Sequence, residues 1–296
     1  MFKVHLGSLM FALIFGLTFM FSKVVLESIT PMALIAYRFL WAILGMETLR
    51  RLKVITIRFD KRFIKPIFYV VLFQPILYFL FEIYGLNLIA SAEAGMMIAL
   101  IPVFVALFSA LILNEKPTRA QVGFIGLSVG GIVLIQASDL GGGNLLGFGL
   151  MLLAVMSAAA FNIASRSASK ELNPAEITYF MMLTGAITFN LFYLIELTAE
   201  NRLSDYFLNL TLPTVIFPLL YLGLAASIGG FFLVNFALKH LPAHVSSIYA
   251  NLATVVSLIA GAIVLGEVLV LNQYIGSIMI LIGVYGTVYF RKRSLA

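Results

Sequence analysis

The 296-residue sequence is 62% hydrophobic and 11% charged, with a mean hydropathy of +1.07, whereas soluble domains run at about 45–50% apolar and about 25% charged. That balance excludes a soluble fold, and with it a nucleic-acid-binding reading of the net charge of +6, because a basic patch needs a water-exposed domain to carry it. The lack of any cysteine excludes a disulfide framework, thiol catalysis and cysteine-ligated metals.

With about 20 apolar residues as one crossing of a bilayer, the sequence predicts ten membrane helices, near 6–26, 31–49, 66–89, 94–113, 119–137, 145–165, 174–197, 213–238, 243–265 and 272–290. The first follows a lone Lys, as in a signal peptide, but it reaches spanning length with no A-x-A-like site after it, so an uncleaved helix is expected. Connections are short except at 50–65 and 198–212, which makes consecutive helices antiparallel neighbours. A cytoplasmic N-terminus puts all but three of the 19 basic residues on the cytoplasmic side; of Lys23, Arg38 and Arg202, only Arg202 falls in an outer loop. The positive-inside rule therefore predicts both termini in the cytoplasm and an even number of crossings.

The chain also resembles itself. An offset of 152 lays Leu100 on Leu252, Glu115 on Glu267, Gln121 on Gln273 and Gly131 on Gly283, and an offset of 143 lays Ser22 and Lys23 on Ser165 and Arg166, and Pro31 on Pro174. The expected architecture is an all-α integral membrane protein of ten transmembrane helices as two inverted five-helix repeats, 1–137 and 145–291, joined across Ser138 to Asn144. Five is odd, so the second half crosses in the opposite sense. Inverted repeats are a transporter signature, with the substrate site at the repeat interface.

The third predicted helix carries Gln74, Tyr78 and Glu82 at i, i+4, i+8, which places them on one helical face. A charge in hydrocarbon costs at least about 2.5–3.5 kcal/mol, so Glu82 should face protein or a wet cavity. Glu82 and Arg38 each lie about seven residues, or about 10 Å, below the outer face, close enough to pair. They form either a structural ion pair or a site in which Arg38 takes a substrate carboxylate and Glu82 an ammonium or a proton. Pro75 predicts a kink beside Tyr78, and Gly229 and Gly230 mark a matching weak point in the eighth helix.

Other polar residues read mostly as packing. Asn162 and Asn235 should bond across helices; Tyr249 and Asn251 rank higher as substrate-site candidates because they sit nearest mid-span in the ninth helix. Lys23 and Arg166 are expected to snorkel, and Glu176 to cap a helix N-terminus. Gly126 and Gly130, in GxxxG spacing, and Gly276 and Gly283 should let helices approach within one protomer; monomer and homodimer both stay open. His240 and His244 flank Pro242 without the Glu of a zinc motif, and GGGN lacks a P-loop's GK[ST], so neither a metal, a cofactor nor ATP is expected.

The stretches FGLTFMFSKVVLESITPMALIAYRFLWA, with Gly16, Lys23, Pro31 and Arg38, and YGLNLIASAEAGMMIALIPVFVALFSALILNEKPTRAQVGFIGLSVGGIVLI, with Pro102, Glu115 and Gln121, resemble the EamA domain. The second half resembles it through LPAHVSSIYANLATVVSLIAGAIVLGEVLVLNQYIGSIMILIGV, although Met181 stands opposite Arg38 and Thr254 opposite Pro102. This resemblance to the drug/metabolite transporter superfamily implies a ten-helix, multi-pass protein of the bacterial inner membrane that exports amino acids or other small metabolites. The expected function is therefore secondary transport by alternating access, not enzymatic, with the lipid bilayer and a small-molecule substrate as partners, a proton as a candidate coupling ion and no nucleic acid. A membrane-embedded enzyme, for which no nucleophile with a base is visible, and a channel or receptor, which the repeat fits poorly, are the alternatives.

Overall fold

The computed structural model describes residues 2–86, 88, 97–98, 100–136, 144–264 and 270–294, and among them it is helical throughout, with no strand. In chain order the helices are α1 (Phe2–Leu26), α2 (Pro31–Arg51), α3 (Ile64–Val71), α4 (Tyr78–Leu86), α5 (Ile101–Ile112), α6 (Arg119–Gln136) and α7 (Leu145–Ala168). They continue as α8 (Pro174–Ala199), α9 (Asp205–Leu208), α10 (Pro213–Leu220), α11 (Phe231–His240), α12 (Ala243–Ser247), α13 (Leu252–Val264) and α14 (Leu271–Ser294). π-helical turns, Leu72–Leu77 and Tyr221–Gly230, join α3 to α4 and α10 to α11. Among the described residues, seven helical stretches are long and apolar enough to cross a membrane: Phe2–Leu26, Pro31–Arg51, Lys61–Gly85, Leu145–Ala168, Pro174–Ala199, Pro213–His240 and Leu271–Phe290. Part of the fourth predicted helix, most of the join from Ser138 and the turn holding Glu267 lie outside the described residues.

Local sequence explains where the helices begin. Thr30 caps α2 by accepting from Ala33 N, with Pro31 in the first turn, where its missing N–H costs nothing. Asn173 and Glu176 form a reciprocal capping box at the start of α8, as expected for Glu176, and the same carboxylate takes a bidentate ion pair from Arg58 at 2.7 and 2.9 Å. That carboxylate raises the Arg58 pKa above its ordinary value, chiefly through the side-chain hydrogen bond.

Packing brings distant parts of the chain together. α2 runs along α8, α6 along α14, α1 packs on the Tyr221–Gly230 turn, α11 and α13, and α7 packs on α3, α4 and α5. The loops of basic residues gather on one face: Arg58 meets Glu171 O and Glu176, and Arg166 meets Glu115 Oε1 and the carbonyls of Leu238 and Lys239. Arg166 therefore does not snorkel; protein acceptors satisfy it. At the other end of α2 and α8, Tyr37 donates to Tyr206 O, Tyr206 to Asn190 Oδ1 and Asn190 to Ala36 O, which fastens the 200–212 loop. Asn235 donates to Thr178 and accepts from Ser165 across helices, whereas Asn162 bonds only to Ala158 O of its own helix.

The glycine expectation holds for Gly276 and Gly283 and not for the GxxxG pair Gly126 and Gly130. A Cβ at Gly131 would lie 2.6 Å from Gly276 O, and one at Gly283 would lie 2.6 Å from Phe124 O, so α6 and α14 touch backbone to backbone. A Cβ at Gly126 would meet nothing within 4 Å, and one at Gly130 only a methionine methyl at 3.4 Å. The GxxxG pair thus lies beside the contact, which follows Phe124, Ser128 and Gly131 along the helix. Gly131→Ala is expected to lower the melting temperature in detergent, since overpacking costs about 1–3 kcal/mol. Gly126→Ala should leave it unchanged or raise it, because alanine is the better helix former by about 1 kcal/mol.

Candidate functional site

Pro75 shapes the site before any charge enters it. Proline has no N–H to donate, and its ring crowds the preceding turn, so a regular helix cannot pass through it. The chain answers with the Leu72–Leu77 π turn, where buried Gln74 takes φ −151°, ψ 119°, an extended conformation within a helical run. The expected shared face of Gln74, Tyr78 and Glu82 assumed an unbroken helix. Tyr78 and Glu82 keep it, with Tyr78 Oη donating to Glu82 Oε1 at 2.8 Å, while the extended backbone at Gln74 interrupts the helical phase between it and them.

Arg38 is buried on α2 and its Nε donates to Ser227 Oγ at 2.8 Å. Its guanidinium carbon stands 5.6 Å from the centre of the Phe79 ring, within cation–π range. Ser227 in turn donates to Leu222 O, five residues back, at 2.8 Å, so the widened π turn supplies both the hydroxyl and the acceptor that orients it. Gly223 makes the approach possible: a Cβ there would lie 2.6 Å from Trp41 Cβ and 3.1 Å from Arg38 O. Trp41 Nε1 is buried with no acceptor among the described residues.

Arg38 and Glu82 make no ion pair; the arginine turns its Nε to Ser227 and the carboxylate takes Tyr78. Both Nη groups of Arg38 and Oε2 of Glu82 are without hydrogen bonds among the described residues. The arrangement presents an uncommitted pair of parallel N–H donors, a fork suited to bidentate contact with a carboxylate, together with an uncommitted carboxylate oxygen in the same cluster.

The other two sequence candidates form a separate group. Tyr249 Oη lies 2.7 Å from His5 Nδ1, three residues into α1, and Asn251 donates to Ser128 Oγ of α6 at 3.0 Å. Tyr249 therefore belongs near the basic-face end of α1 rather than at mid-span. The structure brings together Arg38, Tyr78 and Glu82, and adds Ser227, which the sequence reading passed over. The signal was present, since an offset of 152 lays Ser227 on Pro75.

Described residues whose regular structure is all helical, with seven membrane-length stretches among them and a charged cluster around buried Arg38 shared by three of those, have the build of a multi-pass membrane transporter. The EamA-like transporter family model matches residues 3–137 and again 145–289, and the chain belongs to that family, within the drug/metabolite transporter superfamily. It is 32% identical to "Uncharacterized transporter YcxC" of Bacillus subtilis over 96% of this chain and 92% of that protein. It is 26% identical to "Probable amino-acid metabolite efflux pump" of Salmonella typhimurium over 65% of this chain and 66% of the pump. A solved crystal structure superposes with a TM-score of 0.79 at 16% identity, over 97% of this chain and 99% of that one, a likeness of fold.

A double-mutant cycle tests the Arg38–Ser227 contact. Ser227→Ala removes the acceptor of a buried charged donor, which costs about 1.5–3 kcal/mol, whereas Ser227→Ala added to Arg38→Met should cost far less. Equal losses in both backgrounds, read as unfolding in detergent, would show the contact to be idle.

Proposed function

We propose that the chain is a secondary transporter of ten crossings in two inverted five-helix repeats, 1–137 and 145–291, with both termini cytoplasmic in a bacterial inner membrane. It exports amino acids or similar small metabolites by alternating access. Three observations support the two-repeat reading. α1 packs on α11 and α13 as α7 packs on α4 and α5, so the first helix of each half leans on the third and fourth crossings of the other. The second crossings, α2 and α8, pair with each other, as do the fifth, α6 and α14. The π turns Leu72–Leu77 and Tyr221–Gly230 fall in matching helices, and residues 72–77 map within the second turn at an offset of 152. The family model matching each half in turn supports the same division.

The observation that carries the substrate class is the uncommitted fork of Arg38 beside the uncommitted oxygen of Glu82. A zwitterion satisfies both groups: its carboxylate accepts from the two Nη groups and its ammonium donates to Glu82 Oε2. A buried cation and a half-buried anion that have not neutralised each other are costly at rest, and a ligand of opposite polarity at each end offsets that cost when it binds. The printed name of the Salmonella relative points to the same class. Without a nucleotide site the driving force is a gradient, and Glu82 is the group positioned to exchange a substrate ammonium for a proton.

Counterflow of radiolabelled amino acids into proteoliposomes tests this directly. Unlabelled α-amino acids should support counterflow, while the matching amines and α-keto acids should compete poorly, each lacking one charged end. Arg38→Lys should reduce counterflow roughly 10- to 100-fold, because a point charge does not replace a two-pronged donor, and Glu82→Gln should change its pH dependence. Wild-type rates in both variants would remove these residues from the substrate site.

A further inference from the structure

A second polar junction between the two halves lies on the basic face and has no part in the Arg38 cluster. Glu115 follows α5 in a turn where Asn114 takes φ 57° and Glu115 N donates to Ser109 O at 3.0 Å. Its Oε1 accepts from Arg166 Nε at 2.9 Å and its Oε2 accepts from Ala243 N at 2.9 Å. Arg166, in the last turn of α7, also donates through Nη1 to Leu238 O at 3.0 Å and Lys239 O at 2.9 Å. One carboxylate and one guanidinium thus tie together the α5–α6 loop, the end of α7, the end of α11 and the start of α12.

We propose that Glu115 and Arg166 are a releasable clasp that closes the path between the halves on the basic face, and that this clasp must open for substrate to enter from there. The inference rests on the alternating-access reading above. Three features distinguish a clasp from a static staple. Glu115 comes from the first half, whereas Arg166, Leu238, Lys239 and Ala243 all come from the second, so every bond across the junction converges on one side chain. The side chains of Arg166 and Glu115 keep 24% and 20% of their surface exposed, so water can take over their hydrogen bonds when they part, which a sealed pair could not allow. Both charges also recur at matching positions of the repeat, as Lys23 and Glu267, so the charge pattern belongs to the repeat and not to one loop.

The chain has no cysteine of its own, so a single Ser246→Cys in α12, at a position 1% exposed, can report on access through the junction. In detergent-purified Ser246→Cys protein, a charged maleimide should react slowly; adding Glu115→Ala should speed labelling at least tenfold, and Arg166→Gln should do the same if the first variant fails to fold. Arg58→Gln breaks a different ion pair on this face and should leave the rate within twofold of the parent. Unchanged labelling in folded Glu115→Ala and Arg166→Gln proteins would overturn the clasp, as would an equal rise with Arg58→Gln, which would mean general loosening. The measurement needs no substrate, so it is independent of the transport reading: failed wild-type counterflow removes that reading alone, and intact counterflow with unchanged labelling removes the clasp alone.

Discussion

A guanidinium at membrane depth dictates much of what surrounds it. Water cannot solvate Arg38, so the protein must offer it a hydroxyl and an aromatic face, and each requires backbone to come close. Ser227 reaches it because Gly223 admits the α2 backbone and because the π turn carries the hydroxyl inward. Phe79 reaches it because the Pro75 break resets the helix just before Tyr78. Irregular backbone at such depth is tolerated where side chains answer the displaced polar groups, and Ser227, bonded back to Leu222 O, is such an answer. The helical defects and the buried charge are therefore one arrangement.

The bundle divides its contacts by stiffness. α6 and α14 meet through glycine backbones with no room for a methyl group, a contact that resists sliding. α2 and α8 interlock through Phe39 against Gly185 and through the Tyr37, Tyr193 and Tyr206 rings. By contrast, α1 and α7 lean on helices interrupted by π turns, and the junction near α7 on the basic face is held by half-wet ionic contacts. Stiff pairs flanking two softer arms would let each arm tilt without unpacking the core.

The bilayer makes membrane helices easy to read, because crossing length and basic-residue bias are properties of composition. Among the described residues, the positions of the seven helical stretches of membrane length and the capping role of Glu176 are legible for that reason, as is the kink at Pro75, whose ring admits no other outcome. What could not be read was phase. Gly126 and Gly130 have the familiar spacing, yet Gly126 faces open space and Gly130 only a methionine methyl, because the contact follows another row of the same helix. Gln74 shares a face with Glu82 only if no residue between them breaks the rise. Arg166 reads as an interfacial charge because its acceptors, Glu115 and two carbonyls, lie 51 to 73 residues away along the chain. Ser227 was passed over because a lone serine among glycines and alanines carries no chemistry until an arginine from another helix arrives.

The position of Trp41 has a practical side. It is the sole tryptophan of the chain, it sits on α2 three residues from Arg38 with its Cβ against Gly223 of the π turn, and its indole N–H is buried without an acceptor among the described residues. Indole emission depends on the polarity and hydrogen bonding of that N–H. The molecule therefore carries one indole beside its charged cluster, with no second tryptophan to mask it when it is excited beyond the absorption of the 12 tyrosines, and occupancy there can be followed optically in unlabelled protein.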